Sequence, residues 1–401
     1  MPYPYPAWIE VDTTAIRRNA EAVRRFVGAG VRVMAIVKAD GYGHGAVPVA
    51  EAALAGGVSH LGVASVAEGI ELREAGITTP VLILGCGMPE QAPQVVSHDL
   101  MQTLATEDMA RALSEAAGSR KQEAGRKGRQ VGVHIKVDTG MGRLGVRPHE
   151  ALAFARLVSS LPGLRIDGIY SHLATADSED TSYALDQARQ FEGVLAEMAA
   201  QGVTPPLRHL ANSAATVRFP EMHLDLVRTG LLIYGLNPLP LETEEAGSRK
   251  QEAGGERLVP RGTCCIPLSP ALSLKTRIAC IKEMPAGQRL SYSGLYTTER
   301  PTRIACLPLG YADGYPRALS NIGSVLVSGR RCPVVGAVCM DQMLVDLGEI
   351  AAKPGDEVVL IGEQAGARIT ANELAAAQGT VVHEIVARLG KRLPRVCRVS
   401  C

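Results

Sequence analysis

Hydrophobic positions along the chain gather into short unbroken runs rich in β-branched residues, at 31–37, 60–64, 80–84, 101–104, 131–137, 166–171, 207–211 and 225–228. Runs of this kind predict parallel strands covered on both faces. The stretches between them have a helical period. Over 183–201, Leu185, Ala188, Phe191, Leu195 and Met198 share one stripe, while Asp186, Arg189, Glu192 and Glu197 lie elsewhere. Residues 106–117 behave the same way. Eight alternating β and α units in about 240 residues predict an N-terminal (β/α)8 TIM-type barrel. A doubly wound sheet is the alternative, because the pattern of strands does not show closure.

After Tyr234 the pattern changes. Residues 236–272 are rich in Pro, Gly and Glu without a period, and read as a linker. Beta-like runs with turn signals follow at 273–282, 302–308, 324–327, 332–338, 343–346 and 357–361. They predict a C-terminal, mainly antiparallel β domain, interrupted by helical stretches at 371–378 and 383–389. The expected division is a barrel over 1–240, a linker with an insertion over 241–265, and the β domain over 266–401. One segment, AGSRKQEAG, occurs twice, at 117–125 and 246–254. Its polar, Gly-flanked composition predicts mobile surface loops at both places. The LVPRG at 258–262 reads as part of the linker.

Composition narrows the function. With 46% hydrophobic and 21% charged residues, the 401-residue chain has what a globular core needs. Lys plus Arg number 42 against 41 Asp plus Glu, a balance that predicts neither a nucleic-acid nor a membrane partner. No apolar run approaches the roughly 20 residues of a membrane helix. The opening residues show neither a basic nor an apolar leader segment, which predicts a cytoplasmic protein. Nine cysteines without a C-x-x-C pair predict reduced thiols rather than disulfides or a metal site.

Polar residues cluster where predicted strands end. Lys38 ends the first run in AIVKADGYGHG, Arg143 follows the fifth in VDTGMGRLG, and His172 ends the sixth in IYSHLATAD. Asn212 and Ser213 follow the seventh, and Arg228 and Gly230 close the eighth. In such barrels the active site collects at the carboxyl ends of the strands. A desolvated lysine amine suits Schiff-base chemistry. A snorkelling surface lysine is the alternative, but Gly41, Gly43 and Gly45 around Tyr42 favour a tight loop that a ligand approaches closely. Ser213 and Gly230, on strand-to-helix turns, suit a phosphate.

The stretches AIVKADGYGHG, VDTGMGRLG, HLANSAA, VRTGLLIYG, LSYSGLY, LPLGYADGYPR and GAVCMDQ together resemble the signature segments of the alanine racemase family, in family order over about residues 7–397. The resemblance implies a pyridoxal 5'-phosphate enzyme that interconverts L-alanine and D-alanine, supplying D-alanine for peptidoglycan. It also implies a homodimer with shared active sites. Lys38 would hold the cofactor and act as one base; Tyr292, supplied by the second subunit, would act on the opposite face, with His172 as proton relay. Tyr42, Ser213 and the amides of Gly230 and Leu231 would take the phosphate, with Asn212 and His172 beside the cofactor. Arg228 would face the pyridine nitrogen, oriented by His209. Arg143, Met340 and Asp341 would meet the substrate carboxylate, and Tyr311 would line the entry. Lys136 aligns with a lysine that some members carry as a carbamate. Asp138 and Asp313 read as structural. His383 stands where the family pattern has a tyrosine that touches the phosphate, so a broad-specificity or serine racemase is the alternative activity. Related decarboxylases place a carboxylate where Arg228 stands, and single-barrel cofactor carriers lack a second domain.

Overall fold

The computed structural model describes residues 5–124, 130–239, 257–261 and 264–398. The chain forms two compact units, one of Ile16–Ala39 and Val49–Ser269, the other of Met1–Ala15, Asp40–Pro48 and Pro270–Cys401.

The first unit holds an eight-stranded parallel sheet. Its order is Leu207–His209, Leu164–Tyr170, Val131–Lys136, Met101–Leu104, Val81–Ile83, His60–Val63, Arg32–Ile36 and Leu226–Thr229. The last strand in sequence thus pairs with the first, and the Asp225 and Arg228 N–H groups donate to Arg208 O and Ala211 O, each at 3.0 Å. The result is a nearly closed barrel, as the eight apolar runs predict. Each run became a strand because helices cover one face and the barrel interior the other.

The helix Ser182–Ala200 buries Ala184, Gln187, Ala188, Phe191, Val194 and Met198. That face is rotated from the expected stripe, and Leu185 is exposed. Gln187 explains the rotation: its Oε1 accepts from Ala174 N–H at 2.8 Å and its Nε2 donates to His172 O at 3.1 Å. A polar side chain that the apolar pattern leaves out therefore sets the buried face.

Two loop expectations fail. The helix Glu107–Ala124 runs through most of the first AGSRKQEAG copy, because Ala, Glu, Lys, Arg and Gln are strong helix formers. The second copy lies outside the described residues. The range expected as linker contains two strands, Arg257–Arg261 and Cys264–Leu268, paired antiparallel.

The second unit is built on a mostly antiparallel sheet. The order is Cys280–Met284, Thr302–Leu307, Met343–Asp346, Arg330–Val335, Ser324–Val327, Glu357–Gln364, Leu272–Arg277, Ala7–Asp12 and Arg395–Arg398. The run expected as one strand over 273–282 is two, divided around the buried Ile278. Ala7–Asp12 was not expected to be a strand of this sheet, yet it pairs antiparallel with Leu272–Arg277 and parallel with Arg395–Arg398. Trp8 is buried there, with its indole N–H donating to Glu10 Oε1 at 2.9 Å. Glu10 and Glu357 both pair with the buried Lys275 at 3.1 Å.

Candidate active site

The strand Arg32–Ile36 ends in an unusual turn. Over Lys38–Tyr42 the chain is helical, but φ is 52° at Ala39, 53° at Asp40, 59° at Gly41 and 51° at Tyr42. It is a left-handed turn, which costs on the order of 1–2 kcal/mol for each residue bearing a Cβ. Such strain persists only where neighbours impose it, and it concentrates at functional sites. Here the Glu68 carboxylate accepts the Ala39 N–H at 2.8 Å and also the Ala64 N–H. Lys38 itself is half-buried. Burial, then the Arg143 guanidinium, pulls its ammonium below the ordinary lysine range, while Glu68 acts in the opposite sense. The amine is therefore easier to deprotonate than a surface lysine.

Arg143 sits on an exposed turn held by Asp138, whose Oδ1 accepts the Gly140 and Gly142 N–H groups at 3.0 Å each. Lys136 is buried and donates to Val137 O at 2.7 Å. Burial, with Arg228 next, lowers its pKa to about 7. Its Nζ lies 5.5 Å from the centre of the Tyr170 ring. Tyr170 went unnoticed in the sequence because an aromatic that ends an apolar run reads as packing. It stacks on His209 with centroids 4.6 Å apart, and its hydroxyl bonds Thr103 Oγ1 at 2.9 Å.

Arg228 is buried at the end of Leu226–Thr229. Its Nη2 donates to Ser171 O and Leu210 O, each at 2.9 Å, and lies 3.2 Å from His172 Nδ1. Its Nη1 donates to His209 Nδ1 at 3.1 Å. Burial lowers its pKa to about 10, which leaves it a cation at neutral pH. Burial, and then this cation, hold the His172 imidazole well below the ordinary histidine range. Since arginine only donates, His172 carries its proton on Nε2.

Across the barrel mouth, Ser213 Oγ accepts the Gly230 N–H at 2.9 Å. A hydroxyl that accepts in this way keeps its own proton for a second partner. Asn212 caps the helix Ser213–Arg218, its Oδ1 accepting Ala215 N–H at 2.9 Å. Leu231 follows Gly230 in the turn after the strand, and the Leu236 N–H donates to its carbonyl at 2.9 Å. The barrel unit thus offers a depressed amine, a fixed guanidinium and a hydroxyl donor on a turn. Those groups suit an aldehyde, a pyridine ring and a phosphate, so the residues present fit pyridoxal phosphate.

The second unit carries the remaining candidates in two places. Tyr42 is buried, its hydroxyl pushed up to about 12 by burial, and its ring faces that of His383. Asp40 pairs with Arg395 at 3.6 Å in the same segment. Tyr292 instead is 73% exposed, with Met340 at 53% and Tyr311 at 40%. One side-chain and two backbone hydrogen bonds draw their segments together. Ser291 Oγ accepts Ala337 N–H at 3.0 Å, Tyr311 N–H donates to Cys339 O at 3.0 Å, and Ala312 N–H donates to Met340 O at 2.9 Å. Arg392 bonds Asp341 at 2.8 Å and lies 3.4 Å from the buried Asp313. Asp313 in turn accepts Gly310 N–H at 2.9 Å, which fits its structural reading.

Comparison with known proteins follows the same division. Residues 11–238 match the family model of the alanine racemase N-terminal domain, and 271–397 that of the C-terminal domain. The chain is 45% identical over 392 residues to the alanine racemase of Symbiobacterium thermophilum, covering 97% of this chain and 96% of that protein. The crystal structure of alanine racemase from D-cycloserine-producing Streptomyces lavendulae superposes with a TM-score of 0.86 at 36% identity, over 100% of this chain and 98% of that one. The alanine racemase from Bacillus anthracis with bound L-Ala-P gives 0.84 at 36% identity, covering 99% and 96%.

Proposed function

The chain belongs to the alanine racemase family of isomerases, and from that premise we propose that it interconverts L-alanine and D-alanine with pyridoxal 5'-phosphate as cofactor. Arg228 is the observation that carries this reading. With its pKa at about 10 the Arg228 guanidinium stays a cation at neutral pH; facing the cofactor ring it would not accept a ring proton, which would favour proton return to Cα over reactions that need a stronger electron sink. When bound, the cofactor acidifies the proton on the amino acid's Cα.

The chain's own residues do the rest. Lys38 holds the cofactor and, as a neutral amine, moves a proton on one face of Cα. Tyr292 of the partner subunit moves a proton on the opposite face, because racemisation needs removal on one side and delivery on the other. His172 relays to that tyrosine. Ser213, Tyr42 and the Leu231 amide take the phosphate, the Gly230 amide joins them by turning from Ser213 Oγ, and Asn212 braces the turn. Arg143, with Met340 and Asp341 of the partner subunit, takes the substrate carboxylate, and Tyr311 lines the entry. The exposure of Tyr292, Met340 and Tyr311 on their own chain supports a homodimer with shared sites. Lys136, with its pKa near neutrality, takes a carbamate that pairs with Arg143. The enzyme acts in the cytoplasm and supplies D-alanine for peptidoglycan. No described helix is long and apolar enough to cross a membrane.

His383 beside Tyr42 favours a second reading, a pocket that also admits serine. The test is chiral chromatography of L-alanine incubated with the protein and pyridoxal phosphate. D-alanine is the expected product; carbon dioxide release, or L-alanine alone, overturns the proposal.

A further inference from the structure

The interior of the barrel contains a histidine that the proposed reaction does not use. His134 lies on Val131–Lys136 and is fully buried. Its Nδ1 is 2.8 Å from His209 Nε2, and the two rings meet edge to face at 70°. His209 Nδ1 in turn receives the Arg228 Nη1 donor at 3.1 Å.

The direction of these bonds follows from Arg228. A guanidinium has no acceptor, so His209 Nδ1 must carry a lone pair. A neutral imidazole with a bare Nδ1 has its proton on Nε2, and that N–H has His134 Nδ1 in front of it. His134 Nδ1 is therefore an acceptor too, and His134 carries its own proton on Nε2. Both rings stay neutral, because burial and neighbouring cationic and imidazole groups hold them below the ordinary histidine range.

Two further observations show that this ring is not ordinary filling. His134 Nε2 is buried without a hydrogen-bond partner among the described residues. A barrel interior filled for stability alone would hold a branched aliphatic there, since a buried unpaired N–H is destabilising. The neighbouring strand also yields space to it, because a Cβ on Gly168 would lie 2.4 Å from His134 Nδ1. Tyr170, stacked on His209 at 8° between ring planes, fixes the middle ring.

We propose that His134 is a positioning residue: with His209 it forms a one-way relay, Arg228 to His209 to His134, that holds the Arg228 guanidinium in one orientation at the barrel mouth. Its bearing on racemisation rests on the function proposed above, whereas the orientation of Arg228 does not. The His134→Phe variant removes the terminal acceptor and frees His209 to turn over; the guanidinium then keeps only its Nη2 bonds to Ser171 O and Leu210 O and rotates faster. His134→Asn places an amide oxygen near the former Nδ1 and keeps the relay.

The test uses the full-length protein loaded with pyridoxal phosphate, with 15N-labelled histidine and arginine, observed by NMR. In the wild type, His209 and His134 both show a protonated Nε2 and a bare Nδ1, and Arg228 shows separate Nη1 and Nη2 signals. In His134→Phe the Arg228 signals merge and kcat for alanine falls about tenfold with KM little changed; His134→Asn restores both. A wild-type His209 protonated on Nδ1 overturns the relay without any variant. So does a folded His134→Phe protein in which the Arg228 signals stay separate. Absence of racemisation in the wild type, with the NMR pattern intact, instead counts against the proposed function and leaves the orientation of Arg228 established.

Discussion

The rings of Tyr42 and His383 lie 5.7 Å apart between centroids and are tilted by 57°. On the proposed reading that His383 takes the place of a tyrosine in the family pattern, the site gains space, because imidazole is shorter than phenol. The room this leaves weakens the rejection of one extra hydroxyl, a discrimination on the order of 1–3 kcal/mol. His383→Tyr is therefore expected to lower the ratio of kcat/KM for L-serine to that for L-alanine, by about tenfold. An equal or higher ratio contradicts the role given to His383.

The segment around Tyr42 packs closely on the helix Val382–Ala387. Gly43 has φ of 78°, and a Cβ added there would lie 2.1 Å from Val386 O. Both features penalise Gly43→Ala, by roughly 3 kcal/mol together. A fall in Tm of roughly 5 °C or more is expected. An unchanged Tm would show that the segment shifts freely.

Much of this was legible in the sequence, and the omissions have physical causes. The barrel strands were readable because cover on both faces makes each an unbroken apolar run. Ala7–Asp12 and Arg395–Arg398 were missed because their pairing joins the two ends of the chain, a contact that local pattern does not encode. Lys38, Arg143, His172 and Arg228 stood out as polar residues at strand ends. His134 and Tyr170 did not, since a polar group pointing into a barrel interrupts an apolar run only once. Tyr292, Met340 and Tyr311 came from motif resemblance, because nothing in their own periodicity marks them.

Acid should destabilise the protein from near neutrality. Burial depresses His60 to about 4 and His134 to about 3, from 6.5. As pH falls the unfolded chain takes up these protons first, so stability is present above about 6.5 and is lost toward pH 3–4. Each group contributes about 1.4 kcal/mol per pH unit across that window. Urea unfolding at pH 7 and pH 5 measures this, and a flat profile excludes neutral burial of these rings.

Lys136, with a pKa of about 7, is partly neutral at physiological pH and open to carbon dioxide. Protein equilibrated with 13C-bicarbonate is expected to show a carbamate resonance that Lys136→Arg abolishes. A spectrum without that resonance in the wild type rules out the modification.

Shared catalysis by Lys38 and the partner subunit's Tyr292 is the central claim, and subunit mixing tests it most directly. Lys38→Ala and Tyr292→Phe homodimers should each be nearly inactive. Borohydride should fail to fix the cofactor to residue 38 in the first. After subunit exchange, a mixed dimer contains one site with both wild-type bases and one with neither. The account predicts that racemisation returns on mixing, toward one quarter of the wild-type rate if exchange is random and equal, a figure obtained as roughly half the dimers times half the sites. Verified exchange without recovered D-alanine formation would contradict it, placing both bases on one chain.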